Sequence, residues 1–182
     1  MIELIPFTAA DIDRLIGWIP SLETLLWWTS ASFGYPLTRE HLQGHLRDSA
    51  ERGDRLIYKA VDPERGEAFG HIELGALDPR NHSLRIGRVL IDPAVRGRGL
   101  GAEMMRAALT RAFDAHQVHR AELVVFDVNT RAIRCYEQVG FRREGVRRDS
   151  FKAPGEPGMP ETYWSEISMS ILAPEWEALR RR

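Results

Sequence analysis

The chain has 182 residues, 43% hydrophobic and 28% charged, with a net charge of −1. That length fits one domain able to bury roughly 70% of its unfolded surface, and a balanced charge offers no basic face for nucleic acid. The lone Cys135 excludes an intrachain disulfide, and a start without a secretion signal or any membrane-length apolar run predicts a cytoplasmic protein with no membrane or nucleic-acid partner.

Residues 2–7 alternate as a short edge strand, where Pro6 is tolerated. Thr8 with Asp11 reads as a capping box opening a helix with Ile12, Leu15 and Ile16 on one face, ending before Pro20. Ser21 to Tyr35 is rich in aromatics (Trp27, Trp28, Phe33, Tyr35) and is assigned no element. Thr38 caps a helix over 39–52. Strands follow over 56–61, 67–77 and 83–91, ended by Asp62-Pro63, Asp78-Pro79 and Asp92-Pro93, and short turns between them predict an antiparallel meander. A helix over 102–116 carries an apolar stripe of Met105, Leu109, Ala112 and Phe113. Residues 121–128 are nearly all apolar, as in a strand buried on both faces. Asn129 caps a helix over 130–138 that Gly140 stops. Strands over 141–151 and 162–171 flank a Pro/Gly-rich turn, Ala153 to Pro160, and 174–182 reads as a short exposed helix. The layout is α+β, a mixed sheet with helices on both faces.

Between strand 83–91 and the next helix stands Val95-Arg96-Gly97-Arg98-Gly99-Leu100-Gly101. The first amides of a helix lack internal partners and carry partial positive charge, glycines let backbone approach an anion, and Arg96 and Arg98 add charged donors. A phosphate-bearing ligand is expected, although a plain turn using glycine for geometry alone stays open. Gly97-x-Gly99-x-x-Ala102 superficially matches a dinucleotide fingerprint. Five residues, Asp92 to Arg96, separate it from the strand, whereas a dinucleotide loop follows its strand directly. No Gly-Lys-Ser/Thr follows, which excludes a Walker A loop.

Arg96-Gly97-Arg98-Gly99-Leu100-Gly101 resembles the R/Q-x-x-G-x-G/A signature of the GNAT acetyltransferase superfamily, and Val89 to Pro93 resembles its preceding strand end. Asn129-Thr130-Arg131-Ala132-Ile133-Arg134-Cys135-Tyr136-Glu137-Gln138-Val139-Gly140-Phe141 resembles that family's N-x-x-A-x-x-x-Y-x-x-x-G-F segment. The likeness covers most of 55–172 as an acetyl-CoA-binding core. Residues 1–54 correspond to the variable substrate side of one domain over 1–172, and 173–182 to a tail. The aromatic segment and Tyr163 to Ser170 resemble the ribosomal-protein alanine N-acetyltransferase type. The resemblance implies a mixed, mostly antiparallel sheet of six to seven strands with helices on both faces, splayed between 84–91 and 121–128.

The resemblance further implies that amides of Arg96, Gly97, Arg98, Gly99, Leu100, Gly101 and Ala102 hold the pyrophosphate of acetyl-CoA. Main-chain groups of Val89 and Ile91 would pair with the pantetheine arm, and an amide near Leu90 or Ile91 would polarise the acetyl carbonyl. Asn129 would contact the arm, or serve only as a helix cap. Tyr136 lies at the general-acid position, where its phenol also touches the cofactor. Strand 84–91 lacks the acid that many relatives carry there, so Glu73 on the neighbouring strand is the candidate base, directly or through water, with His71 the lesser one. Cys135 has no readable His/Asp partners and reads as a buried small apolar residue pointing elsewhere. His41 and His45 have helical i,i+4 spacing but no third metal ligand, and read as surface residues; no metal is expected. Trp27, Trp28, Phe33 and Tyr35 either line an acceptor pocket or seal the core.

The implied activity is direct transfer of acetyl from acetyl-CoA to a primary amine, on a protein N-terminus, a lysine or a small molecule. A non-catalytic acyl-CoA sensor of the same fold is the alternative, and a nicotinamide enzyme a weaker one. A homodimer follows from family habit alone.

Overall fold

A computed structural model describes residues 2–64, 66–155 and 160–181. Residues 156–159 of the turn expected over Ala153 to Pro160 lie outside them, as does the last residue of the 174–182 segment. Seven strands, β1 (Glu3–Pro6), β2 (Arg55–Asp62), β3 (Glu67–Asp78), β4 (Ser83–Ile91), β5 (Arg120–Phe126), β6 (Arg142–Lys152) and β7 (Tyr163–Leu172), form one sheet in the order β1-β2-β3-β4-β5-β7-β6. Every neighbouring pair is antiparallel except β4–β5. This is the α+β sheet the sequence predicts, at the upper end of its strand count.

Helices α1 (Ile12–Gly17), α2 (Leu22–Thr29) and α3 (Arg39–Arg52) cover one face, where Leu15, Leu25, Trp28 and Leu42 pack with Ile57 and Leu90. Helices α4 (Leu100–Thr110), α5 (Thr130–Val139) and α6 (Ala173–Arg180) cover the other. The apolar stripe of α4 is its buried side: Met104, Met105, Ala108 and Leu109 have no exposure. Each such large side chain contributes about 1.5–3 kcal/mol on burial. Gly70 on β3 permits this closeness, since a Cβ there would lie 2.6 Å from Met104 Sδ. Helix α4 runs on into a π turn over Arg111–Ala115. The expected box at Thr8 is present, with the Asp11 carboxylate accepting the Thr8 N–H at 2.9 Å, and Lys59 reaches the same carboxylate at 2.6 Å. Asn129 Oδ1 accepts the Ala132 N–H, and Gly140, at φ +113°, ends α5.

Three local expectations need correction. The unassigned aromatic stretch contains helix α2, started by Ser21 Oγ accepting the Thr24 N–H, with Leu25 and Trp28 facing inward. Strand β5 is buried on both faces only at its end: α2 covers Phe126 through Leu26, whereas α1 to α3 otherwise pack over β2 and β4 and leave Val124, on the same face as Phe126, 43% exposed. The last helix is docked rather than free: Trp176 is buried and stacks on Phe113.

Candidate active site

Strands β4 and β5 pair only over Ser83–Arg85 and Arg120–Glu122. Beyond that they diverge, and a cleft of about 740 Å³ opens between them. A bulge in β4 prepares its wall. Leu74 and Glu73 of β3 face Ile86 and Gly87, but His71 faces Leu90, so Arg88 and Val89 together oppose Ile72. One extra residue reverses the alternation of side chains. Leu84 and Ile86 belong to the core under α4, Leu90 to the core under α1 to α3, and Val89 and Ile91 return to the α4 side. Val89, Leu90 and Ile91 all line the cleft.

At the end of β4, Asp92 accepts the Ala94 N–H and shapes a short turn toward the glycine loop. Gly97 and Gly99 take φ +82° and +81°, a region that costs side-chain-bearing residues strain. Helix α4 starts at Leu100, so its unpaired amides open onto the cleft, which Gly97, Gly99, Leu100, Gly101 and Ala102 line. Arg96 also lines it, its Nε donating to the Ile91 carbonyl at 3.0 Å. Burial, then the charge of Arg131, push the Arg96 pKa down. Arg131 and Arg134 stand in the same wall, and no carboxylate lines the cleft among the described residues. Unneutralised guanidiniums beside helix-terminal amides suit a polyphosphate. Arg98 is the exception to the sequence expectation: it lines a separate depression with Glu64, Glu67 and Glu103.

The opposite wall comes from α5 and its cap, with Asn129 and Tyr136 both lining the cleft. Tyr136 is 8% exposed, and burial pushes its phenol above the ordinary value, so it stays protonated and can donate. Cys135 is corrected here. It is half-buried and lines the cleft, because the packing of α5 on α4 turns its Sγ to 3.5 Å from where a Gly101 Cβ would stand. Trp27 and Trp28 reach the cleft from α2, while Phe33 stacks on Trp28. Tyr35 is 49% exposed and does not line it.

Glu73 does not line the cleft either; it is 4% exposed beneath the bulge. Its Oε1 is 2.7 Å from His45 Nε2 and its Oε2 accepts from Arg88 Nη1 at 2.8 Å. The Arg55 guanidinium lies 3.3 Å from His45 Nδ1 and can only donate, so Nδ1 accepts and Nε2–H donates to Glu73. Burial alone would raise the Glu73 pKa. The His45 hydrogen bond and the Arg88 charge outweigh it and hold the carboxyl at about 2. A carboxylate so weakly basic, with both oxygens engaged, is unsuited to take a proton from an amine, which corrects the expected role of Glu73. His45 is accordingly no surface residue, and His41 Nδ1 accepts the Thr38 N–H at the start of α3. His71 is 2% exposed, burial pushes its pKa down, and its Nδ1 is 3.0 Å from the Arg88 carbonyl. None of this was legible from spacing, since His45 and Glu73 meet only through the packing of α3 on β2 and β3.

A family model described as the acetyltransferase (GNAT) family matches residues 22–141. The chain belongs to that family. Aminoglycoside N(6')-acetyltransferase type 1 of Klebsiella pneumoniae is 37% identical over 155 residues, covering 76% of this chain and 73% of the relative. Spermidine N(1)-acetyltransferase of Escherichia coli K12 is 28% identical over 136 residues, covering 74% and 65%. Among solved structures, spermidine N-acetyltransferase from Vibrio cholerae, in complex with CoA and spermine, superposes with a TM-score of 0.82 at 18% identity, covering 97% of this chain and 98% of that one. This GNAT protein is an acetyl-CoA-dependent N-acetyltransferase acting on an amine. Among the described residues no helix is long and apolar enough to cross a membrane, and no metal-binding cluster occurs.

Proposed function

We propose that this enzyme acetylates a primary amine of a small polycationic acceptor, an amino sugar or a polyamine. Its closeness to the aminoglycoside enzyme over three quarters of the chain carries the reading, and the charge layout supports it. Among the described residues the cleft walls hold arginines and no carboxylate, which suits the phosphates of acetyl-CoA. The other face of the sheet differs. Paired residues share a face, and Phe126 pairs with Glu166, Val124 with Ser168 and Glu122 with Ser170. Val124 is exposed there while Phe126 and Trp164 are covered by Leu26, so the sheet is open to an acceptor only beside that aromatic cluster. Glu166 holds Arg147, whose side chain is 74% exposed. The Glu166 side chain is only 17% exposed but its partner is out in solvent, so an acceptor ammonium can compete with that guanidinium for the carboxylate.

In this reading the amides of Arg96 to Ala102 hold the pyrophosphate, with Arg96, Arg131 and Arg134 adding charge. Val89 and Ile91 flank the pantetheine arm, and Asn129 contacts it while capping α5. The acceptor ammonium loses one proton to solvent, its nitrogen bonds the acetyl carbon, and that nitrogen releases a second proton to solvent as the amide forms. The C–S bond breaks, and the Tyr136 phenol gives its proton to the departing thiolate and regains one from solvent. Glu73 has no part in proton transfer.

The test is a panel of aminoglycosides, polyamines and peptides with free N-termini, incubated with acetyl-CoA while thiol release and product mass are followed. Acetylation of an aminoglycoside or polyamine in preference to peptides is expected. Preference for peptide N-termini would overturn the acceptor class.

A further inference from the structure

His71 and Glu73 lie beneath the β4 bulge outside the cleft, and together with Trp28, which lines it, they grip Arg88, the neighbour of Val89 in the cleft wall. We propose that His71 and Trp28 are positioning residues for acetyl transfer: by holding the Arg88 carbonyl they aim the Val89 N–H into the splay, where it donates to the thioester oxygen. This rests on the reading that the splay holds the acetyl-CoA thioester.

Arg88 is anchored at both ends. Its carbonyl accepts from Trp28 Nε1 at 2.7 Å and from His71 Nδ1 at 3.0 Å. A carbonyl only accepts, so His71 carries its proton on Nδ1. Its guanidinium donates to Glu73 and lies 5.3 Å over the Phe33 ring. Between these anchors the backbone takes φ +46°, a region unfavourable for a side chain of this size. Strain of this kind persists only where the surroundings over-determine it. His71 is itself fixed by edge contacts with Phe7 and Trp28, at ring separations of 5.0 and 5.3 Å.

In a trans peptide the carbonyl and the following N–H point in opposite directions. With the Arg88 carbonyl drawn toward Trp28 and His71, the Val89 N–H points away from them. The neighbouring amide is committed elsewhere. Asp92 donates to the Phe69 carbonyl at 2.8 Å, and antiparallel alternation then places Leu90, opposite His71, in a bonded pair with β3. The same alternation turns the Ile91 N–H away from β3, farther along the strand, and Val89, next to the anchored carbonyl, supplies the donor at the bulge. As the amine adds to the acetyl carbon, negative charge grows on the thioester oxygen, and a donor fixed in advance lowers the barrier without reorganising.

The test compares His71→Leu, which removes the donor, with His71→Asn, whose amide nitrogen can still reach the carbonyl, and with Trp28→Phe, which keeps the ring. In His71→Leu and Trp28→Phe, kcat should fall about 10- to 100-fold while the acetyl-CoA KM moves less than about threefold. His71→Asn should restore most of the turnover. The decisive readout is the infrared stretch of a ¹³C-labelled acetyl carbonyl in bound acetyl-CoA without acceptor. It should lie below the free value in wild type and His71→Asn and return toward it in the other two variants. An unchanged band in His71→Leu and Trp28→Phe, or loss of turnover without band movement, would overturn the proposal. An unshifted wild-type band with acetyl-CoA bound would refute it alone, whereas failure of acetyl-CoA to bind would refute the site reading beneath it.

Discussion

Replacing Glu73 by glutamine keeps its volume and removes its charge at a place where both oxygens accept hydrogen bonds. One of them, from His45 or from Arg88, must then face an NH₂ group instead. The carboxyl is held at about 2 against an ordinary 4.5, and the difference converts, at about 1.4 kcal/mol per pH unit, to about 3 kcal/mol of stability. That figure matches the cost of breaking a buried pair from one side, about 3–5 kcal/mol, since Arg88 would be left with its buried Nε already unpartnered. The sign follows from a pKa depressed on folding. The stabilisation is complete above 4.5 and is lost as pH falls from 4.5 toward 2. Urea unfolding followed by tryptophan fluorescence should show Glu73→Gln less stable by about 3 kcal/mol at pH 7, the gap shrinking to about half at pH 3. A gap under about 0.5 kcal/mol at pH 7, or one equally large at both pH values, would refute the reasoning.

The glycine loop gives a paired prediction: Gly99→Ala, forced to keep φ +81°, should cost about 1 kcal/mol and raise the acetyl-CoA KM, although no atom lies within 4 Å of its new Cβ. Gly101→Ala, at 3.5 Å from Cys135 Sγ inside a helix, should be neutral or slightly stabilising by thermal melting. Because no carboxylate among the described residues lines the cleft and the Glu73 carboxyl is held at about 2, kcat/KM should rise about tenfold per pH unit up to the pKa of each acceptor amine. A limb at one fixed pH for every acceptor would point to an enzyme base instead. Cys135 lines the cleft with its thiol pKa pushed up by burial, so iodoacetamide should modify it slowly, and saturating CoA should slow it further.

What was legible in the sequence was local. Asp-Pro strand ends, the Asn129 cap, the Gly140 stop and the glycine loop are read by near neighbours in the chain, and each stands where expected. Helix α2 does have a local signal, the Ser21 cap with Leu25 and Trp28 at helical spacing on its inward face, but its run of aromatics is equally compatible with a loop. The exposure of Val124 beside a buried Phe126 depends on where α1 to α3 come to rest, which no window of β5 contains. The role of Glu73 was misjudged for the same reason. A carboxylate beside a cleft reads as a base until His45, 28 residues away, and Arg88, 15 away, close on it in three dimensions. Cys135 shows the limit of helical phase: one residue from Tyr136, it shares the cleft because close packing of α4 and α5 leaves both side chains facing it.

Tyr136 lines the cleft together with the glycine loop and is the proposed proton donor, and its hydroxyl can be removed without changing the ring. With an accepted amine, Tyr136→Phe should lower kcat about 100-fold or more while the acetyl-CoA Kd from calorimetry stays within about threefold of wild type. Wild-type turnover in that variant would contradict the placement of the acetyl-transfer chemistry in this cleft.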